Sequence, residues 1–244
     1  MSTKLKLPTW QAMAFAAFVD GVAAGAADDH SHSNGRDITL SIDLAAASGA
    51  GSTLTLLAEE LGYANYGFKT PRQKGLSAAP SVDGAPLAGP WQTRAGLAGE
   101  HLQVMTEAGS KRVTWGALPS APTAATWYQA RFATPDGDGA TELLVNATGL
   151  GRGRMWVNGN DVGRYWLLER NDGSECSGGR ARCATQELYH VPQSWLAAAG
   201  GENVLTLFEA AGAPDPTSVR LAASSMHDGA PPAVDPESVS SCVF

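Results

Sequence analysis

Short apolar runs, interrupted about every 8 to 12 residues by Gly, Pro, Asn or Asp, dominate this chain, and that spacing predicts the strands of a sandwich or barrel. The strand candidates are Ile38 to Ile42, Leu102 to Met105, Arg112 to Trp115, Thr126 to Phe132, Glu142 to Val145, Arg164 to Leu168 and Glu187 to Val191. No segment sustains an apolar period of about 3.6 residues. Only Pro192 to Leu196 reads as helical, with proline at the start and Trp195 and Leu196 turned inward, which suits a single turn.

Two patterns occur twice in the same order. Phe18-Val19-Asp20-Gly21 followed by Gly25 matches Trp156-Val157-Asn158-Gly159 followed by Gly163. In each copy an apolar pair ends a strand and Asp-Gly or Asn-Gly supplies the positive φ of a tight hairpin turn. Leu54-Thr55-Leu56-Leu57-Ala58-Glu59 then resembles Leu205-Thr206-Leu207-Phe208-Glu209, each behind a Gly-rich turn. Duplicated all-β modules follow from this. Pro119 and Pro122 place the boundary between about 105 and 125, giving a first module over 10–110 and a second over 111–224. The remainder, 225–244, with Pro231, Pro232 and Pro236, reads as an extended or disordered tail.

A length of 244 residues with 43% hydrophobic positions supports one large core or two smaller ones. The 28 glycines and 14 prolines favour many turns. A net charge of −7 excludes nucleic acid as a partner, because phosphate backbones are held by clustered Lys and Arg. Lys4 and Lys6 before the apolar run Ala12 to Ala27 imitate a secretory signal, but Asp20 interrupts it and the segment also reads as a strand entering a turn. No run reaches the roughly 20 apolar residues of a membrane span, so a soluble chain is expected.

Trp127-Tyr128, Phe132, Gly151-Arg152-Gly153, Trp156-Val157-Asn158-Gly159 and Val162-Gly163-Arg164-Tyr165-Trp166 resemble the last jelly-roll domain of family-35 β-galactosidases. Tyr189-His190-Val191-Pro192, Trp195-Leu196 and Asn203-Val204-Leu205 continue that resemblance in order. Phe18 to Gly21, Leu56 to Glu59, Gly62 to Gly67 and Lys74-Gly75-Leu76 resemble the domain before it. The resemblance implies two consecutive jelly-roll, galactose-binding-like modules, the first lacking N-terminal strands. It implies a partner too, either the catalytic barrel or another protein subunit, and galactosides are candidate ligands. A secreted or organelle-lumen location is favoured, and no cofactor is implied. The catalytic glutamates of the family lie on a (β/α)₈ barrel of about 250 residues, for which this chain has no room. A non-catalytic accessory or structural module of a carbohydrate hydrolase is therefore expected, with a structural subunit of a larger assembly or a galactoside-binding, lectin-like module as the alternatives.

Glu59-Glu60 is an adjacent carboxylate pair, but neighbours on a strand point to opposite faces and cannot converge on one glycosidic bond. Arg164, Tyr165 and Trp166 are the candidate sugar-binding group, since a ring can stack on a pyranose while a guanidinium reaches hydroxyls; core packing competes with that reading. Trp91, Trp115, Trp127 and Trp195 read as core or interface residues, and Asp20 and Asn158 as turn residues. His30-Ser31-His32 near Asp28 and Asp29 lacks a convincing full ligand set, so no metal is assigned, and His190 reads as structural. Cys176 and Cys183 share a Gly-rich loop and are a candidate disulfide, leaving Cys242 unpaired. Asn146-Ala147-Thr148 is a candidate N-glycosylation acceptor if the chain is secreted.

Overall fold

A computed structural model describes residues 3–29, 38–44, 51–63, 73–121, 123–135, 141–167, 186–212, 215–225, 233–234 and 238–243. The chain forms two compact units, the first ending at Arg94 and the second beginning at Ala95.

The first unit contains β1 (Thr3–Thr9), β2 (Met13–Val19), β3 (Val22–Asp28), β4 (Ile38–Leu44), β5 (Leu54–Glu60), β6 (Ser81–Val82) and β7 (Ala85–Pro86). They build two antiparallel sheets, β3-β2-β5 and β4-β1-β6-β7. Alternate residues of facing strands make the core: Leu5 and Leu7 on β1, Met13, Phe15, Ala17 and Val19 on β2, and Ile42 and Leu44 on β4. The run that imitated a signal peptide is thus the hairpin β2–β3, with every residue of β2 buried.

The second unit opens with two short helices, α1 (Ala98–Leu102) and α2 (Glu107–Ser110). Its strands are β8 (Thr126–Ala133), β9 (Thr141–Asn146), β10 (Arg152–Val157), β11 (Asn160–Trp166), β12 (Leu188–Val191), β13 (Glu202–Glu209), β14 (Arg220–Ser225), β15 (Ala233–Val234) and β16 (Ser238–Val243). Single 3₁₀ turns lie at Gln193–Trp195 and Pro216–Ser218. The sheets run β11-β10-β13-β8-β16 and β12-β9-β14-β15. Strands β9 to β15 therefore repeat, in the same chain order and the same two sheets, what β1 to β7 form in the first unit. The all-β jelly-roll architecture read from the sequence is present, and among the described residues the second unit adds α1, α2, β8 and β16.

The duplicated hairpin is built alike in both copies. Asp20 and Gly21 have φ of 51° and 82°, and Asn158 and Gly159 have 50° and 81°, the paired positive values of a type I′ turn. Each hairpin then carries a bulge: pairing shifts between Ala17 and Phe18 in one and between Met155 and Trp156 in the other. The later motif glycine, Gly25 or Gly163, sits beside that shift with φ of 156° or 120°. A Cβ at Gly25 would lie 2.5 Å from Ile42 Cγ2 and 3.2 Å from the Asp43 carbonyl oxygen, whereas at Gly163 it would meet nothing within 4 Å. Gly25→Ala should consequently cost roughly 1–2 kcal/mol by overpacking a buried isoleucine. An unchanged urea midpoint would show that β4 yields freely.

Helices appear where strands were expected. Leu102 to Met105 is the end of α1 and a turn through Gln103, whose φ is 55°, and Arg112 to Trp115 is turn and irregular backbone. Local caps decide this: Thr106 Oγ1 accepts from Gly109 N at 3.0 Å, and Glu100 Oε2 accepts from Leu97 N at 3.1 Å. The segment belongs with the second unit, because Gly99 lies against the Trp127 indole and Ser110 Oγ is 3.0 Å from Gln129 Nε2. The change of unit consequently falls upstream of the proline-marked stretch. Part of the tail is strand β16, paired antiparallel with β8.

Candidate functional site

Alternation along β8, β10, β11 and β13 splits their aromatic and aliphatic side chains between two faces. Tyr128, Met155, Val157, Tyr165, Leu205 and Leu207 face the core between the sheets. Trp127, Trp156 and Phe208 lie on the other face, with ring centroids 5.4 Å apart for the two tryptophans and 5.0 Å for Trp127 and Phe208. All three are buried. Gly99 of α1 approaches Trp127 so closely that a Cβ there would be 2.5 Å from the indole, so this cluster is packing rather than an open platform.

The candidate sugar residues separate the same way. Tyr165 is fully buried, and its hydroxyl lies 3.0 Å from the Phe208 carbonyl oxygen and 3.1 Å from Glu209 Oε2. It is a core residue and offers no face to a ligand. Arg164 and Trp166 share the opposite face of β11, where they stand across from Arg154 and Arg152. Trp166 is half-buried, with the Arg152 guanidinium carbon 5.4 Å from its ring centre, and Arg154 forms a two-pronged contact with Asp161.

Glu209 occupies the centre of this region and was not singled out by sequence reasoning. It is fully buried at the end of β13. Oε2 accepts from Gly151 N at 2.9 Å and faces the Tyr165 hydroxyl, while Oε1 accepts from Arg152 N at 3.2 Å and Ala211 N at 2.9 Å. Burial raises the Glu209 carboxyl above the ordinary range, and those donors pull it back toward the charged form. Burial, reinforced by the Glu209 charge, holds the Tyr165 hydroxyl well above its usual value. The Gly151-Arg152-Gly153 motif is explained here: Gly151 and Arg152 supply N–H groups, and a Cβ on Gly153 would fall 1.8 Å from the Phe208 carbonyl oxygen. The pattern Tyr165 with Leu207-Phe208-Glu209 was visible as strand sequence, but only a cross-sheet pairing reveals a shared network.

A second network ties down the motif turn. Asn158 N donates to the Val204 carbonyl at 2.9 Å, and Val204 N donates back to Asn158 Oδ1 at 2.8 Å. In the first unit Asp20 N donates to the Thr53 carbonyl at 2.9 Å and Thr53 N to Asp20 Oδ1 at 2.8 Å. The side chain thus latches the turn to the neighbouring strand in both copies, a role beyond turn geometry. The second copy goes further: Asn158 Nδ2 donates to the Trp195 carbonyl and to Asn203 Oδ1, each at 2.8 Å, and buried Asn203 also reaches Thr134 Oγ1 at 2.7 Å.

The other candidates stand apart. Glu59 and Glu60 are consecutive on β5 and project to opposite faces. His190 is exposed, with Nε2 3.9 Å from Glu142 Oε1, beyond hydrogen-bond length. Trp115 donates from Nε1 to Ser110 Oγ at 3.0 Å, Trp195 packs against the second core, and Trp91 is exposed rather than in a core. Asn146 ends β9, and its Oδ1 accepts from Thr148 N and Thr148 Oγ1 at 2.9 and 2.6 Å. His30, His32, Cys176 and Cys183 lie outside the described residues. Among the described residues no group of three or more His, Cys, Asp or Glu is placed to hold a metal, and no helix is long and apolar enough to cross a membrane.

Paired antiparallel sheets with the β10–β11 hairpin locked to β13 define a jelly-roll β-sandwich domain. Residues 125–203 match the family described as "Beta-galactosidase, galactose-binding domain". Beta-galactosidase 8 of Arabidopsis thaliana is 32% identical over 84% of this chain and 25% of its own length. Beta-galactosidase 14 of the same plant is 37% identical over 49% of this chain and 12% of its own. The chain carries the galactose-binding-type domain of the β-galactosidases and spans a quarter or less of these relatives. An α-L-rhamnosidase of Streptomyces avermitilis, solved with L-rhamnose, aligns over 100% of this chain and 25% of its own at 19% identity, with a TM-score of 0.29.

Proposed function

We propose that the chain is a non-catalytic β-galactosidase-type jelly-roll protein, an accessory or structural module of a carbohydrate hydrolase. One observation carries this reading: the residues that make the sequence β-galactosidase-like are spent on its own interior. Trp156, Tyr165, Asn203 and Glu209 are buried, and Asn158 is engaged by its latch. Retaining glycosidases set two carboxyl groups about 5–5.5 Å apart across the scissile bond. Glu59 and Glu60 diverge, and Glu209 is enclosed by backbone donors. The partner is a catalytic barrel or another subunit, in a secreted or lumenal setting.

A galactoside-binding role is the second reading, favoured by one feature: Arg164 and Trp166 share a face of β11. Calorimetric titration of the purified chain with galactose and lactose, alongside its solution mass and its turnover of a chromogenic β-galactoside, separates these readings. The accessory role predicts no turnover and no saturable heat. Saturable heat abolished by Trp166→Ala would establish the binding role instead, and turnover proportional to protein would overturn both.

A further inference from the structure

We propose that Asn146 is the attachment point of an N-linked oligosaccharide whose first sugar lies over Leu188. The glycan requires the secreted or lumenal setting read above, so the site rests on that part of the reading and not on whether the module is accessory or sugar-binding. Asn146-Ala147-Thr148 meets the acceptor pattern in sequence. Whether a bulky group can be carried there is decided by the fold.

Val145 and Ala147, on either side of Asn146, are fully buried, so alternation turns the Asn146 side chain to the outer face of the sheet β12-β9-β14-β15. Thr148 N can only donate, and it reaches the same amide atom, at 2.9 Å, that the Thr148 hydroxyl reaches at 2.6 Å. That atom is therefore Oδ1, and Nδ2 is the prong left over. Among the described residues Nδ2 of Asn146 meets no partner. The other described asparagines use theirs: Asn158 Nδ2 donates to the Trp195 carbonyl and Asn203 Oδ1, Asn160 Nδ2 to the Val157 carbonyl at 3.3 Å, and Asn203 Nδ2 to Thr134 Oγ1.

The sugar comes from a lipid diphosphate-linked oligosaccharide. Its C1 bond to the diphosphate oxygen breaks, the diphosphate keeping the electron pair, while Nδ2 bonds to C1 and gives up one proton. Oδ1 takes no part, so both hydrogen bonds from Thr148 survive in the product. Leu188 stands directly opposite Asn146 on β12, and Arg220 opposite it on β14. Tyr189 and Leu221, the next residues, are buried, so Leu188 and Arg220 share the outer face with Asn146. Arg220 Nη1 is occupied by the Thr217 and Val219 carbonyls. Leu188 is 41% exposed, and the C–H face of a sugar on the neighbouring Nδ2 takes that apolar side chain out of water.

The test places the full chain behind a cleavable secretion leader in a glycosylating eukaryotic host and measures the intact mass of the leader-free protein. The mass of an oligosaccharide is expected, lost on treatment with peptide N-glycosidase as Asn146 is converted to aspartate. Thr148→Ser keeps the hydroxyl and should retain the glycan, whereas Thr148→Val should abolish it. Hydroxyl-radical labelling of Leu188 should fall by about half in the glycosylated chain relative to the deglycosylated one. A leader-free wild-type chain of unmodified mass, or a glycan that persists in Thr148→Val, would overturn the site, and equal labelling would overturn the seat on Leu188. Leader removal itself reports entry into the lumen, and turnover and calorimetry judge the accessory reading on either form, so the two fail separately.

Discussion

Glu209→Ala will lower the stability of the second unit by roughly 3–5 kcal/mol, a fall in Tm of about 10 °C, while leaving secondary structure content nearly unchanged below the transition. Gly151, Arg152 and Ala211 each aim a backbone N–H at this carboxylate. Truncation strands all three in a site with no solvent exposure and opens a void against Tyr165. Tyr165→Phe is the internal comparison. The hydroxyl is one donor among four and the phenyl ring still fills the core, so its loss should cost only about 1 kcal/mol. Thermal unfolding followed by circular dichroism reads both. Equal effects for the two variants would mean that the ring, and not the carboxylate, organises the junction of β10, β11 and β13.

Asn158→Asp should destabilise the second unit by roughly 2–3 kcal/mol at neutral pH, whereas Asp20→Asn at the matching position of the first unit should leave it unchanged within error. Both side chains accept from the opposite strand through Oδ1. Asn158 alone must also donate, to the Trp195 carbonyl and to Asn203 Oδ1. A carboxylate there would set oxygen against oxygen at 2.8 Å twice. Asp20 has no such demand, and the hydrogen bonds from Thr53 and Ser52 hold the pKa of its carboxyl below the ordinary value. Its folded value being the lower one, the latch contributes above the unfolded value of about 3.9 and is lost as pH falls through the folded one. Asp20→Asn should remove that acid sensitivity, which an unfolding series between pH 2 and 6 would register.

Much of the architecture was legible because strands and turns are local. Asp20-Gly21 and Asn158-Gly159 are type I′ turns on their residue chemistry alone, and the repeat of that motif with its trailing glycine located both hairpins. The helices between 98 and 110 escaped because each is only about a turn long and is fixed by the Glu100 and Thr106 caps and by packing on Trp127, not by a helical apolar period. Strand β16 escaped because a segment rich in serine and proline shows no affinity for β8 until β8 offers it an edge.

The sequence by itself determined the all-β class, the duplication, the hairpin positions and the kinship with β-galactosidases, since each rests on residues close along the chain. Tertiary structure alone decided that Tyr165 is interior while Arg164 and Trp166 face outward together, and that Glu209 gathers donors from a strand more than fifty residues away. It also decided that, among the described residues, β5 pairs on one side where β13 is paired on both. The physical reason is common to all three: strand alternation fixes which residues share a face, but which face is buried, and which edge is filled, depends on partners that only the folded sheets bring together.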